Sequence, residues 1–197
     1  MILQTTEYLQ IKLYFCVKYR IMKKIITLLI CIFIFNSCDD GEISFDTFNF
    51  DPAAAINSCT PNNGLFFKVK SNEALILRTP ITTFANSVTA SNSPRTIVIN
   101  SSNQVIYRSF NSTVNTSYFC ETLPPATPSV INEWYATDGV TGTSGLIEVT
   151  TTQILNPTTN AVTGYNHYVV FKNITFSNGV NTFTYENFIY GNYVTAP

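Results

Sequence analysis

The residues able to do chemistry in this chain are few. Five cysteines stand at Cys16, Cys31, Cys38, Cys59 and Cys120, and His167 is the single histidine. A Ser-His-Asp triad or a histidine metal site would have to use His167. It lies mid-strand among Tyr165, Val169 and Phe171, where a packed, hydrogen-bonded imidazole is expected. Glycoside hydrolysis needs two carboxyl groups facing each other across about 5 to 9 Å. Glu121, Glu133, Glu148 and Glu186 are available, but their spacing selects no pair. Asp39, Asp40 and Asp46 do not form the dense acidic run of a calcium loop. No catalytic residue, metal ligand or cofactor is assigned. Aromatic side chains offer the other chemistry, stacking on sugar rings, with Trp134, Tyr135, Tyr190 and Tyr193 as candidates. The competing reading places such rings in the core, since each buries roughly 150 to 250 Å².

Cys38 has the most informative surroundings. Met22-Lys23-Lys24 is followed by Ile25 to Phe35, apolar throughout except Thr27, then by Asn36-Ser37-Cys38. A positive start, a short apolar run and a small-residue exit describe a secretory signal peptide, residues 22–37. Eleven helical residues cover only about 16 Å, too little for roughly 30 Å of hydrocarbon. A buried core helix would carry a polar stripe, and this run has none.

The exit Phe35-Asn36-Ser37-Cys38 resembles a bacterial lipobox, with cleavage between Ser37 and Cys38. The resemblance implies that the Cys38 thiol receives a diacylglyceryl group and that the freed amine is acylated in turn. Phe35 and Asn36 depart from the usual lipobox residues. Each buried methylene contributes about 0.8 kcal/mol, and one chain alone binds only marginally. Two or three chains on Cys38 would make release negligible. Asp39-Asp40-Gly41-Glu42 resembles the acidic export signal of flavobacterial surface lipoproteins, and it reads equally as the start of a solvated tether, residues 38–43. The expected location is the outer membrane, at the cell surface or facing the periplasm.

From Cys38 onward the chain has 160 residues, with six basic and eleven acidic side chains, a formal charge of −5. That balance argues against nucleic acid, which needs a basic footprint. Hydrophobic residues make up 45% of the full sequence, which excludes an acidic disordered tail. Cys59 and Cys120 remain as an even pair in an exported protein, which reads as a disulfide. Two cysteines without clustered histidines do not close a zinc shell.

Strand patterns fill the rest. Leu65–Lys70 and Glu73–Arg78 flank Ser71-Asn72, a hairpin spacing. Runs 95–100 and 104–110 flank a polar turn, and Asn178-Gly179 separates the last two long runs. Asp51-Pro52 predicts one short helical turn over the alanines that follow. Pro124-Pro125-Ala126-Thr127-Pro128 reads as a stiff link carrying the chain between sheets. The expected fold of residues 44–197 is an all-β antiparallel β-sandwich, with a small β-barrel as the alternative and the signal-peptide helix ahead of it.

The stretch Val105–Phe110, Tyr118-Phe119-Cys120-Glu121 and Pro124-Pro125 resembles small flavobacterial lipoproteins without an assigned activity. With the signal, it implies a membrane-tethered ectodomain that binds a glycan or an envelope protein, or serves envelope structure. The alternatives are a carbohydrate-binding module using exposed aromatics and a glycan-active enzyme using paired carboxylates. Residues 1–21 precede the lysines where a signal peptide normally begins, so the expected start is Met22. Mass spectrometry of cells should then recover no peptide from residues 2 to 20; recovering one refutes that start.

Overall fold

Ser71 takes a left-handed φ of 54° and turns the chain back on itself, so that Leu65–Lys70 and Glu73–Arg78 pair residue for residue. This is the hairpin that the two-residue spacing predicts. The computed structural model describes residues 47–61, 63–90, 92–123 and 125–197. The expected signal-peptide helix, Ser37, Cys38 and the tether lie outside the described residues.

The strands are β1 (Asn57–Ser58), β2 (Leu65–Lys70), β3 (Glu73–Arg78), β4 (Arg95–Val98) and β5 (Gln104–Phe110). They continue with β6 (Val130–Ala136), β7 (Leu146–Leu155), β8 (Val162–Ser177) and β9 (Thr182–Thr195). Every pairing is antiparallel, in the order β1-β2-β3-β5-β6-β8-β7-β4, with β9 on the other edge of β8. The sheet does not close into a barrel, and the all-β sandwich expectation holds. One layer is β1, β2, β3, β5 and β6; the other is β4, β7, β8 and β9. They join where Tyr135 and Ala136 pair with Ser177 and Phe176 at the end of β8.

Local turns and layers do not always agree. The turn at Asn100–Asn103 forms as the sequence predicts, but β4 pairs with β7 while β5 pairs with β3 and β6. The two strands therefore leave a tight turn into different layers. The proline-rich link is the reverse case. It was expected to pass between sheets, yet β5 and β6 on either side of it are neighbours in one sheet. The chain leaves that sheet and returns to it, with one helical turn, Ser117–Cys120, on the way.

That excursion exists because β2, β3 and β5 are apolar on both faces. Phe66, Leu75, Leu77, Val105 and Tyr107 point inward, against Ile147, Val149, Val169, Phe171 and Tyr190 of the other layer. Phe67, Ala74, Ile76, Ile106 and Phe110 point outward and need a second cover, which Val114, Tyr118 and Phe119 supply. Phe119 lies on Phe67 with ring centroids 4.6 Å apart. Cys59 and Cys120 stand at disulfide geometry, their Cα atoms 5.3 Å apart, and staple this cover to the sheet. The expected pairing of these cysteines is the one the fold presents.

The inner core is closed by an N-terminal strap, residues 47–52. Phe48 is buried and stacks on Tyr107 at 4.3 Å, edge-on to Phe176 and Phe183. Side chains of the body hold the strap's backbone: Tyr185 Oη donates to Phe48 O (2.7 Å), Lys70 Nζ to Asn49 O (3.0 Å) and Lys68 Nζ to Asp51 O (2.7 Å). Lys68 is 1% exposed. Burial pulls its ammonium below the ordinary range, and the charge of Asp51 opposes that shift. Asp51 also caps the turn that follows, its Oδ1 accepting from Ala53 N at 2.9 Å. The chain turns after Asp51-Pro52, Ala54 N donating to Asp51 O at 3.1 Å, but the turn is not the helical one expected over the alanines.

Candidate functional site

The four aromatics proposed for stacking do not share a surface. Tyr190 is a correction: it is fully buried, its hydroxyl donating to Phe66 O (3.0 Å) and Leu75 O (3.2 Å). The reason is a bulge. Val169 pairs with Gly191 and Val170 with Ile189, which leaves Tyr190 without a partner opposite. Tyr190 faces the core in phase with Phe188, and its hydroxyl finds two carbonyls there, so burying it leaves no polar group unpaired. Gly191, at φ 127°, lies beside the Lys68 ammonium; a Cβ there would come within 2.8 Å of Lys68 Nζ and of Pro52 O. Tyr193 is half-buried against Phe66 and Phe84, and Trp134 packs on Phe183 from the inner face. Only Tyr135 is exposed, at 45%, on the outer face of the β2-β3-β5-β6 layer.

Tyr135 stands opposite Ile106, and Glu133 opposite Arg108. Arg108 Nε donates to one oxygen of Glu133, and Tyr135 Oη donates to the other at 2.5 Å. That hydrogen bond is the main reason the Tyr135 phenol is held above its ordinary value. Both oxygens of Glu133 thus already accept a hydrogen bond, one of them from a cation, which favours the ionised form over a catalytic acid. Among the described residues no three His, Cys, Asp or Glu side chains gather as a metal ion would require.

The same layer ends in a cleft. Antiparallel pairing puts Leu65, Arg78 and Gln104 side by side at the end away from the Ser71-Asn72 turn. Three connections meet there: the chain before β2, the chain after β3 and the turn before β5. They border an open depression of about 550 Å³ between Asn63, Gly64, Arg78, Pro80, Ser101, Ser102 and Gln104. A second groove of about 380 Å³ shares Asn63 and Arg78 and is lined further by Leu65, Arg108, Tyr118 and Glu121.

The walls of the cleft are fixed. Thr79 N donates to Gly64 O at 3.0 Å. Gly64 has φ 81°, and a Cβ on it would stand 2.8 Å from Thr79 O, so glycine is required for this approach. Thr79 Oγ1 is buried between Thr83 Oγ1 (2.7 Å) and Asn103 Oδ1 (2.8 Å), tying the second connection to the third. Asn63 Oδ1 accepts from Leu65 N at 3.2 Å, which orients its NH₂ as a free-standing donor group. Arg78 is exposed and makes no salt bridge among the described residues, whereas Arg108 is paired. The sequence pattern marks Arg78 only weakly. Its signal was a lone charge ending the apolar run Ala74-Leu75-Ile76-Leu77.

His167 belongs to the core, as its neighbours in sequence predict. It is fully buried between Thr151 Oγ1 (2.9 Å from Nδ1) and Thr195 Oγ1 (3.0 Å from Nε2). Thr195 donates onward to Asn86 Oδ1 at 2.6 Å, so its oxygen accepts the imidazole proton from Nε2. Burial favours the neutral ring, in which Nδ1 is left to accept from the Thr151 hydroxyl. Burial, reinforced by the positive charge of Arg95, lowers the imidazole from 6.5 to about 4.

No protein-family description, curated protein or solved structure matches this chain.

The buried imidazole makes a pH prediction. Between pH 6.5 and about 4 the unfolded chain takes up a proton that the folded chain refuses. Stability should therefore fall as pH falls through that window and be insensitive to this group above it. The loss is on the order of 3 kcal/mol. Urea unfolding of wild type and His167→Gln against pH isolates the effect. The wild type should lose more than the variant on acidification, and parallel profiles would contradict the assignment.

Proposed function

We propose that this chain is a bacterial outer-membrane lipoprotein, with acyl chains on Cys38 holding a β-sandwich binding module at the envelope. The observation that carries the reading is the clamp on the strap. Thr47 lies nine residues beyond Cys38, a reach of at most about 30 Å. From there on, Phe48 is buried in the main core, and three body side chains grip the backbone of residues 48 to 51. The strap thus enters the body through its core and not through a peripheral loop. The lipobox-like exit and the acidic run after it support anchoring and a surface-facing orientation.

The body's part is binding. Loops brought together on a rigid scaffold are where ligands are taken up, and the preorganised cleft at Arg78 has that character. The enzymatic alternative is less favoured, because Glu133, the carboxylate nearest an exposed ring, is held by Arg108 and Tyr135.

Metabolic labelling with an alkyne fatty acid tests the anchor. Wild-type protein should label and partition with membranes, while Cys38→Ala should do neither. Equal labelling of the two proteins would overturn the lipoprotein reading.

A further inference from the structure

From the cleft at the end of β3 we infer the ligand class: an acidic polysaccharide whose carboxylate pairs with Arg78 and whose hydroxyls bond to the surrounding side chains. The inference rests on the reading of the ectodomain as a binding module and goes further by naming what it binds.

Charge decides the first half. Among the described residues Arg78 is the only charged side chain lining the larger depression. It is exposed, without a salt-bridge partner among the described residues, and fixed in register between Leu65 and Gln104. A guanidinium presents donors in a planar fork that suits a carboxylate. From Cys38 onward the chain carries net charge −5, so an anion is drawn by this local donor and not by a general basic field.

The rest of the lining decides the second half. Asn63, Ser101, Ser102 and Gln104 all present groups that donate and accept, the complement of ring hydroxyls. An acidic peptide would offer far fewer hydroxyls to them. The second groove makes the ligand a chain. It shares Asn63 and Arg78 with the first, and half-buried Leu65 beside them offers an apolar edge to the C–H face of a neighbouring sugar, with Arg108, already paired with Glu133, and Glu121 farther along its lining. A polymer can therefore pass across Arg78 with one residue in each compartment. The tie of Thr79 to Gly64 and Asn103 means that little ordering remains to be done on binding.

The test uses full-length protein in detergent micelles, titrated calorimetrically with polygalacturonate, its fully methyl-esterified form and polyglutamate. Polygalacturonate should bind, with the other two weaker by about tenfold or more, the usual scale of a charge-assisted pair. Arg78→Gln should lose a similar factor while keeping the wild-type melting temperature. Asn63→Asp, which preserves the acceptor for Leu65 N but adds a negative charge, should weaken binding as well and serves if Arg78→Gln fails to fold. Equal binding of the methyl ester overturns the carboxylate pairing and leaves a neutral-glycan module. Equal binding of polyglutamate makes an acidic peptide the occupant and overturns the proposal. Unchanged affinity in both variants, or no binding of polygalacturonate, overturns it too. Labelling at Cys38 is read separately, so the anchor stands or falls independently of these results.

Discussion

The structure depends on keeping β2, β3 and β5 dry on both faces. Leu65-Phe66-Phe67 and Ala74-Leu75-Ile76-Leu77 are apolar on consecutive positions, so their side chains alternate between two faces that both repel water. A single opposing sheet could satisfy one face only. The other is satisfied by residues 111 to 120, which start at the hairpin end, where Val114 N donates to Ser71 O at 2.9 Å. They cross the outer face through Tyr118 and Phe119 and reach Cys59 at the opposite end. The disulfide thus fastens the far end of a cover whose near end is hydrogen-bonded to a turn. The clefts at Arg78 are what remains open beside it.

The inner face relies on a different device, a change of phase within two long strands. In β8, Phe171 and Ile174 both face the core, three residues apart where a regular strand would need two or four. Asn173 absorbs the step with a φ of 46°, and its amide donates to Thr143 O at 2.8 Å. Near this step β8 leaves β7 for β6, so the same irregularity lets one ribbon serve both layers. In β9 the bulge at Tyr190 and Gly191 turns two consecutive residues toward Lys68. The buried ammonium then meets backbone carbonyls of the strap and the Tyr190 ring, 5.9 Å to its centroid. A buried ammonium is tolerated because the strap supplies its carbonyls and the bulge its ring.

Features set by near neighbours were legible in the sequence. The Ser71-Asn72 and Asn178-Gly179 turns, the turn after Asp51 and the core position of His167 all follow from residues within a few places. The cysteine pair was legible because the sequence expectation of export leaves so few alternatives. What escaped was fixed at long range. β6 has exposed Val130 and Ile131 at its start, which blurs its alternation and hides the strand. Tyr190 was misplaced because a bulge changes which way a residue points without changing composition. The cleft was invisible for the same kind of reason: Asn63, Arg78, Ser102 and Gln104 meet only because three antiparallel strands end together.

The claim most open to direct test is that the stapled cover is what keeps the outer face of β2, β3 and β5 dry. Hydrogen exchange and urea unfolding of the full-length protein, oxidised and then reduced, measure it. Opening a bridge across 61 residues should lower the unfolding free energy by about 4 kcal/mol. The amides of Val114 and Phe119 should lose protection before those of β8. Unchanged stability, with protection of the cover intact after reduction, would contradict the account.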